Sequence, residues 1–245
     1  MKPFLILQLR PEAEASDNEF EAFLEKGGLV PAQTHRIRLE QKSLPADLNL
    51  SDYAGVIVGG GPGCVSDDPA TKPEMEARIE AEILSLMPEI TERDIPYLGC
   101  CYGHGILGHH LGADVSKERF GEDVGTADCH ITDAGAKDPI TAHLPPRFDA
   151  FVGHKEALQE LPKGCVQLIS SPTCPQQMIR YGENVYSTQF HPEADGRGFA
   201  KRVEIYKHKG YFAPEDAETL TKMCLAADIH APEGILKAFV ARFGG

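Results

Sequence analysis

Residues 95–103 read Ile95-Pro96-Tyr97-Leu98-Gly99-Cys100-Cys101-Tyr102-Gly103, a short apolar run that leads directly into a helical pattern. A glycine two positions to either side of Cys101 lets the backbone bend sharply without a side-chain clash. We therefore expect the thiol to stand out from the end of a strand, at the start of a helix. Free amide N–H groups at that point favour negative charge, so the motif predicts a thiolate with a lowered pKa.

A second motif, Gln189-Phe190-His191-Pro192-Glu193, closes an alternating apolar stretch. In extended backbone, residues i and i+2 point to the same side, so Glu193 can hold one ring nitrogen of His191. The other ring nitrogen is then left to exchange a proton with Cys101. This is the logic of a catalytic triad, and we expect Cys101, His191 and Glu193 to be catalytic.

The first half of the chain alternates strand and helix patterns. Apolar runs predict strands over 4–9, 35–39, 53–58 and 95–98, and helices over 18–26 and 73–87. Short glycine turns between these elements favour a parallel, doubly wound α/β sheet, which binds ligands at the carboxyl ends of its strands. The loop Gly59-Gly60-Gly61-Pro62-Gly63 and Cys101 both fall at such ends.

The second half changes to short alternating stretches and then to helices. Strands are expected over 128–132, 148–152, 167–171, 177–180 and 185–189, and helices over 216–226 and 232–243. These strands are expected to extend the same sheet, largely in antiparallel pairs.

The formal charge of −13 narrows the range of partners. It argues against nucleic acid and anionic membranes, and it favours a small-molecule substrate or a basic protein. No apolar stretch approaches the roughly 20 residues of a membrane span, so a cytoplasmic protein is expected. The seven cysteines lack the spacing of a disulfide framework. Apart from Cys101 we expect them to be packed, with Cys100 behind the turn.

The three motifs together resemble those of the class I (triad) glutamine amidotransferases. The matching segments are the nucleophile motif Pro96-x-x-Gly99-x-Cys101-x-Gly103-His104, the oxyanion loop Val58-Gly59-Gly60-Gly61-Pro62 and the signature Phe190-His191-Pro192-Glu193. Within the family the chain looks like stand-alone members similar to the glutaminase part of guanylate (GMP) synthetase. Gly121-Glu122-Asp123-Val124-Gly125 and His154-Lys155-Glu156 are similar to that branch.

The resemblance implies a three-layer, flavodoxin-like, mostly parallel sheet with antiparallel additions. The sequence shows no internal repeat or linker, so we expect one domain over residues 1–245, with a helical extension from about residue 198, where the pattern becomes helical. Cys101 would form a γ-glutamyl thioester, His191 would protonate departing ammonia and then activate water, and Glu193 would fix the ring. The implied oxyanion and substrate-binding residues are Gly60, Gly61, Tyr102, Gly105 and His154. No metal or organic cofactor is needed.

Gly105 departs from the family pattern, which has glutamine at this position to contact the amino-acid end of the substrate. A γ-glutamyl peptide is therefore an alternative substrate, with Gly105 making room for a larger group. Alternatively, His154 or a backbone group of 149–154 supplies the missing contact.

Two other classes of function stay open at this stage. One is a non-catalytic subunit that binds a γ-glutamyl ligand or a partner protein, and the other is a thiol hydrolase of the dienelactone type. For the amidotransferase, ammonia would pass to a separate synthetase subunit, or would be released if the role is hydrolytic.

Overall fold

The computed structural model describes residues 2–245, which form eleven strands and six α-helices. The strands are β1 (Phe4–Gln8), β2 (Thr34–Arg38), β3 (Gly55–Val58), β4 (Tyr97–Cys100), β5 (Val115–Ser116), β6 (Glu122–Ile131), β7 (Arg147–His154), β8 (Ala157–Leu158), β9 (Cys165–Ser170), β10 (Met178–Tyr181) and β11 (Val185–Thr188). The helices are α1 (Ala13–Gly27), α2 (Glu74–Glu92), α3 (Tyr102–His110), α4 (Gly196–Tyr206), α5 (Ala217–Ala226) and α6 (Glu233–Phe243).

Nine strands form one sheet in the order β2-β1-β3-β4-β11-β10-β9-β6-β7. The pairs from β2 to β11 are parallel, and those from β11 to β7 are antiparallel. The predicted fold class, a doubly wound α/β sheet with antiparallel additions, is confirmed. Strand β11 lies in the middle of the sheet, where it is the parallel neighbour of β4.

Helices cover both faces of the parallel half, because alternate side chains of each buried strand point to opposite layers. Leu5 and Leu7 pack with residues of α2 and α3, whereas Phe4 and Ile6 pack with residues of α1 and α6. Gly28 ends α1 in the left-handed region, with φ of +66°. The helices on its two faces bury the sheet on both sides, as the continuous apolar run of β1 predicts.

Helix α2 continues five residues beyond the predicted end at Met87, although it contains Pro88. Proline removes one backbone hydrogen bond and costs about 3 kcal/mol within a helix. The next turn buries Ile90 completely, and Arg93 N donates to Glu89 O at 3.1 Å. Burial of the apolar stripe and the later backbone bonds outweigh the proline.

Two other differences follow from weak sequence patterns. Strand β6 begins at Glu122 rather than 128, because its first half is polar and partly exposed and shows no apolar alternation. The sequence also did not predict the two-stranded sheet of β5 and β8, whose strands are too short to show a period. Leu158 of β8 covers α3 at Gly108, where an added Cβ would lie 2.9 Å from the Leu158 side chain.

Helices α4 and α5 pack together beside β7. Phe199 of α4 stacks on Phe151 of β7 with ring centroids 4.7 Å apart, and Cys224 of α5 is buried in the same cluster. Within residues 2–245, none of the helices has both the length and the hydropathy that a membrane crossing requires.

The turn after β4 is held between the sheet and α3 by glycines. A Cβ built on Gly99 would lie 2.5 Å from Tyr97 Oη and 2.7 Å from Gly103 O. Tyr97 Oη itself donates to Gly103 O at 3.0 Å. The close approach of helix and strand at this turn therefore requires the absence of a side chain at position 99.

We predict that Gly99→Ala lowers the free energy of unfolding by about 1–3 kcal/mol, because the extra methyl group forces Tyr97 or α3 to move. The measurement is urea unfolding followed by circular dichroism. Gly125→Ala in β6 is the matched control, since its Cβ would meet nothing closer than Asp123 O at 3.7 Å. Equal stability of the two variants would contradict this account of the turn.

Candidate active site

Cys101 occupies a strained turn between β4 and α3. Its backbone has φ of +52° and ψ of −95°, a conformation that non-glycine residues rarely adopt. Cys101 N donates to Thr188 O of β11 at 2.7 Å, which fixes the turn against the neighbouring strand. Strain of this kind costs on the order of 1–3 kcal/mol and persists only where surrounding structure holds it.

His191 follows β11 and so reaches the same edge of the sheet. The last residue pair of β4 and β11 is Cys100 with Thr188. Cys101 therefore lies one residue beyond the end of its strand, and His191 lies three residues beyond the end of its own. His191 N donates to Phe151 O at 3.1 Å, which anchors this segment to β7.

A buried carboxylate holds the His191 ring. His191 Nδ1 lies 3.0 Å from Glu193 Oε1, and Arg202 of α4 donates from Nη1 to the same oxygen at 2.8 Å. Glu193 is fully buried, and His191 and Arg202 are nearly so. A buried charge requires partners of this kind, and the carboxylate favours the tautomer with the proton on Nδ1.

Burial dominates the protonation of both reactive groups. It raises the pKa of the Cys101 thiol to about 12, with Arg10 opposing this effect and Glu156 reinforcing it. It also lowers the pKa of His191, against the charge of Glu193. The expectation of a lowered Cys101 pKa is therefore wrong for the site without substrate, where burial favours the neutral thiol and the neutral imidazole.

Cys101 lies between two cavities. The first cavity is lined by residues including Gly61, Tyr102, Gly105 and Glu156. The second cavity is lined by residues including Arg10, His191 and Phe199. Cys64, expected to be packed in the core, is buried but lines the first cavity. Cys100 is fully buried behind the turn, as expected.

The backbone N–H groups of the glycine loop after β3 differ in their hydrogen bonds. Gly59 N donates to Leu7 O at 3.0 Å and Gly60 N to Glu19 Oε1 at 3.2 Å. Gly61 lines both cavities. Gly60 has a packing role instead, since an added Cβ would lie 2.7 Å from His191 Cε1.

A buried ion pair supports this loop. Arg10, two residues beyond the end of β1, donates from Nε to Glu19 Oε1 at 2.8 Å. Glu19 accepts from Gln8 Nε2 at 3.0 Å as well as from Gly60. The carboxylate therefore ties α1, β1 and the glycine loop together.

Tyr102 begins α3 directly after Cys101, where backbone N–H groups of a helix are unpaired. Its ring fills the space at Gly63, whose added Cβ would lie 2.8 Å from it. Its hydroxyl donates to Glu80 Oε2 of α2 at 2.7 Å. The side chain therefore buttresses the glycine loop, and Tyr102 lines the first cavity.

Gly105 faces the carboxylate of Glu156, which belongs to the segment His154-Lys155-Glu156 but had no role assigned to it from the sequence. A Cβ at this position would lie 3.0 Å from Glu156 Oε1. Glu156 accepts from Val65 N and Ser66 N, both at 2.9 Å, and thereby binds the loop after the glycines to the end of β7. A larger side chain at position 105 would meet this carboxylate.

His154 lines the first cavity, but both ring nitrogens have partners. Nδ1 lies 2.8 Å from Glu156 O and Nε2 lies 2.8 Å from Glu122 Oε2. These contacts leave no ring nitrogen to replace the glutamine contact that Gly105 lacks.

The potential metal-ligand atoms of Glu122, His154 and Cys174 lie within 4.8 Å of one another, which is compatible with a metal ion. Gln177 Nε2 also donates to Glu122 at 2.8 Å, so this cluster is already hydrogen bonded.

The fold and the site define a flavodoxin-like α/β protein with a cysteine at a strand–helix turn and a buried histidine beside it. Residues 18–205 match the family described as glutamine amidotransferase class-I. The chain belongs to the class I glutamine amidotransferases, and the resemblance drawn from its motifs is confirmed.

Curated relatives are longer proteins. The chain is 32% identical over 173 residues to "GMP synthase [glutamine-hydrolyzing]" of Neisseria meningitidis serogroup C, which covers 68% of this chain and 30% of that protein. It is 31% identical over 152 residues to the protein of the same name from Thermosipho africanus, covering 61% of this chain and 26% of that protein. The matches thus span less than a third of these relatives.

Solved structures share the fold over the whole chain. A glutamine amidotransferase from Thermotoga maritima has a TM-score of 0.78 at 20% identity, covering 99% of this chain and 98% of that one. A glutamine amidotransferase from Methylobacillus flagellatus has a TM-score of 0.71 at 18% identity, covering 99% and 96%. The similarity includes α4–α6.

We predict opposite shifts of the His191 pKa on removing its two charged neighbours. Glu193 raises this pKa and Arg202 lowers it. Glu193→Gln should therefore move the pKa down, and Arg202→Gln should move it up. Titration of isotope-labelled histidine by NMR measures both, with the exposed Glu183→Gln as a control. Shifts of the same sign would contradict the arrangement described here.

Proposed function

We propose that the protein hydrolyses γ-glutamyl amides, glutamine among them, through a thioester on Cys101. The observation that carries this proposal is the strained turn that presents Cys101 to a cavity shared with a histidine held by a buried carboxylate. Catalysis by covalent thioester divides one difficult hydrolysis into two easier steps.

Acylation begins from neutral groups. Because burial raises the pKa of Cys101 and lowers that of His191, the thiol proton moves to His191 Nε2 as sulfur attacks the γ-carbonyl carbon. Glu193 stabilises the imidazolium that forms. The C–N bond then breaks, and His191 returns the proton to the departing amine.

The negative oxygen of the tetrahedral intermediate requires donors that are already in position. The N–H groups of Gly61 and Tyr102 are suited to this role, since both residues line the first cavity beside Cys101. One such donor typically lowers the barrier by roughly 3 kcal/mol. In the second step His191 takes a proton from water as its oxygen attacks the thioester carbon. The C–S bond then breaks, His191 returns the proton to the Cys101 sulfur, and glutamate is released.

The first cavity has charges suited to the zwitterionic end of a γ-glutamyl group. Glu156 and Lys155 both line it, one anionic and one cationic. The substrate ammonium would lie at Glu156 and its carboxylate at Lys155. These two charges would replace the contact of the family glutamine for which Gly105 leaves no side chain.

The amine product has two fates within this proposal. The curated relatives are named as GMP synthases, and a solved neighbour from Thermoplasma acidophilum is likewise named for GMP synthase. A partner synthetase that receives ammonia is one fate, and release after hydrolysis is the other. A non-catalytic binding role is disfavoured by the complete set of Cys101, His191 and Glu193.

We expect Cys101→Ala to reduce glutamate release from glutamine by at least about 10⁴-fold, because no thioester can form. Cys165→Ala, at a half-buried thiol of β9, should keep full activity. A chloroketone analogue of glutamine should add once to the wild-type protein, at Cys101, as mapped by mass spectrometry. Labelling of Cys64 instead, or activity in Cys101→Ala, would remove Cys101 from the mechanism.

We expect Lys155→Met to raise KM for glutamine about fivefold with little change in kcat, as loss of ~1 kcal/mol from an exposed ion pair implies. Steady-state kinetics measures both constants. Lys163→Met, an exposed lysine before β9, is the matched control. An unchanged KM would show that the substrate carboxylate lies elsewhere.

A further inference from the structure

The second cavity lies on the His191 side of Cys101 and is larger than ammonia requires. His191 lines this cavity, so the nitrogen that it protonates departs into it. From glutamine that product is a single small molecule. The centres of water-sized molecules have about 50 Å³ of room in it, several times the ~10–15 Å³ that one water molecule needs, so the space fits an amine that carries a substituent.

The walls of the second cavity are apolar and aromatic. Phe199 and Val203 of α4 and Phe212 beyond it line the cavity, together with Val124 of β6. Phe199 and Val203 are nearly fully buried. Apolar surface of this kind favours an apolar or aromatic substituent on the leaving amine.

The guanidinium of Arg10 also lines the second cavity. Arg10 uses Nε on Glu19 and Nη1 on Tyr206 Oη, the latter at 3.3 Å. Its remaining terminal nitrogen, Nη2, would lie 2.8 Å from a Cβ on Gly60, and His191 Cε1 would lie 2.7 Å from the same position. A guanidinium and the proton donor therefore flank one glycine, and an anionic group on the leaving amine can reach Arg10.

Tyr211 lines the second cavity and carries a polar group without a partner. Its hydroxyl is buried and has no hydrogen-bond partner among residues 2–245. Tyr211 lines both cavities, and its ring is held against Tyr206 and beneath Lys155. Buried hydroxyls normally have partners, so this one indicates a polar ligand. Tyr211 also lies beyond residues 18–205, which match the family.

We propose that the second cavity is a leaving-group subsite for an α-amino acid with an apolar side chain, so that γ-glutamyl amino acids are preferred substrates. This inference rests on the thioester hydrolysis proposed above. Sulfur attacks the γ-carbonyl carbon, the amide C–N bond breaks, and His191 protonates the nitrogen of the departing amino acid. Arg10 pairs with its carboxylate, Tyr211 donates a hydrogen bond to it, and water later releases glutamate.

The test compares three donors with the full-length protein: γ-glutamyl-phenylalanine, γ-glutamyl-phenethylamide, which lacks only the carboxylate, and glutamine. We expect kcat/KM for γ-glutamyl-phenylalanine to exceed that of the other two by at least about tenfold, the usual effect of a charge-assisted hydrogen bond. Altering the substrate rather than Arg10 leaves the glycine loop intact. Equal kcat/KM for the two phenyl donors would overturn the role of Arg10.

Variants of residues that line the second cavity test whether this cavity selects the leaving group. Phe212→Ala and Tyr211→Phe should each lower the ratio of kcat/KM for γ-glutamyl-phenylalanine to that for glutamine by at least about fivefold. Tyr181→Phe, at the opposite end of the sheet, should leave this ratio unchanged, and urea unfolding checks that all variants fold. Hydrolysis of glutamine alone, or unchanged ratios, would overturn the subsite but leave the proposed function intact. No hydrolysis of any donor, with Cys101 unlabelled by the chloroketone, would overturn both.

Discussion

The parallel pairing of β4 with β11 is the constraint on which the site depends. The two strands are far apart in sequence, yet their register places Cys100 beside Thr188, and the hydrogen bond from Cys101 N to Thr188 O extends it by one residue. This bond holds the turn at Cys101 in its strained conformation. It also fixes Thr188, the residue three positions before His191, relative to Cys101. If β11 slipped by one residue, its own side chains would turn to the other face of the sheet while those of β4 stayed in place.

Two buried ion pairs then hold the His191 ring and the glycine loop in position beside Cys101. Glu193 with Arg202 orients the imidazole, and Glu19 with Arg10 holds the glycine loop against it. Removing one member of such a pair leaves an uncompensated charge, so each pair specifies geometry strongly. Arg10 contributes twice, because the same guanidinium that anchors Glu19 also faces the second cavity. The site thus couples loop position to the electrostatics around Cys101.

The sequence predicts the parts of this structure that have strong local patterns. The apolar run of β1, the Gly99–Gly103 turn and the His191-x-Glu193 spacing are each defined within a few residues, and the structure contains all three features. Arg10 could have been anticipated, since charged residues at the carboxyl end of a parallel strand often lie at a site. Arg202, Glu156 and Tyr211 could not, because their contacts arise only when α4, β7 and the segment after α4 come together. The raised pKa of Cys101 was missed for the same reason, since burial is a tertiary property that outweighs the helix start.

The central claim is that Cys101 carries the γ-glutamyl group between two half-reactions. Rapid acid quenching during turnover, followed by peptide mass spectrometry, tests it most directly. The account predicts that a peptide containing Cys101 gains the mass of one γ-glutamyl group, in step with release of the first equivalent of amine. Turnover with no acyl group on the quenched protein, or with the group on another residue such as Cys64, would contradict it.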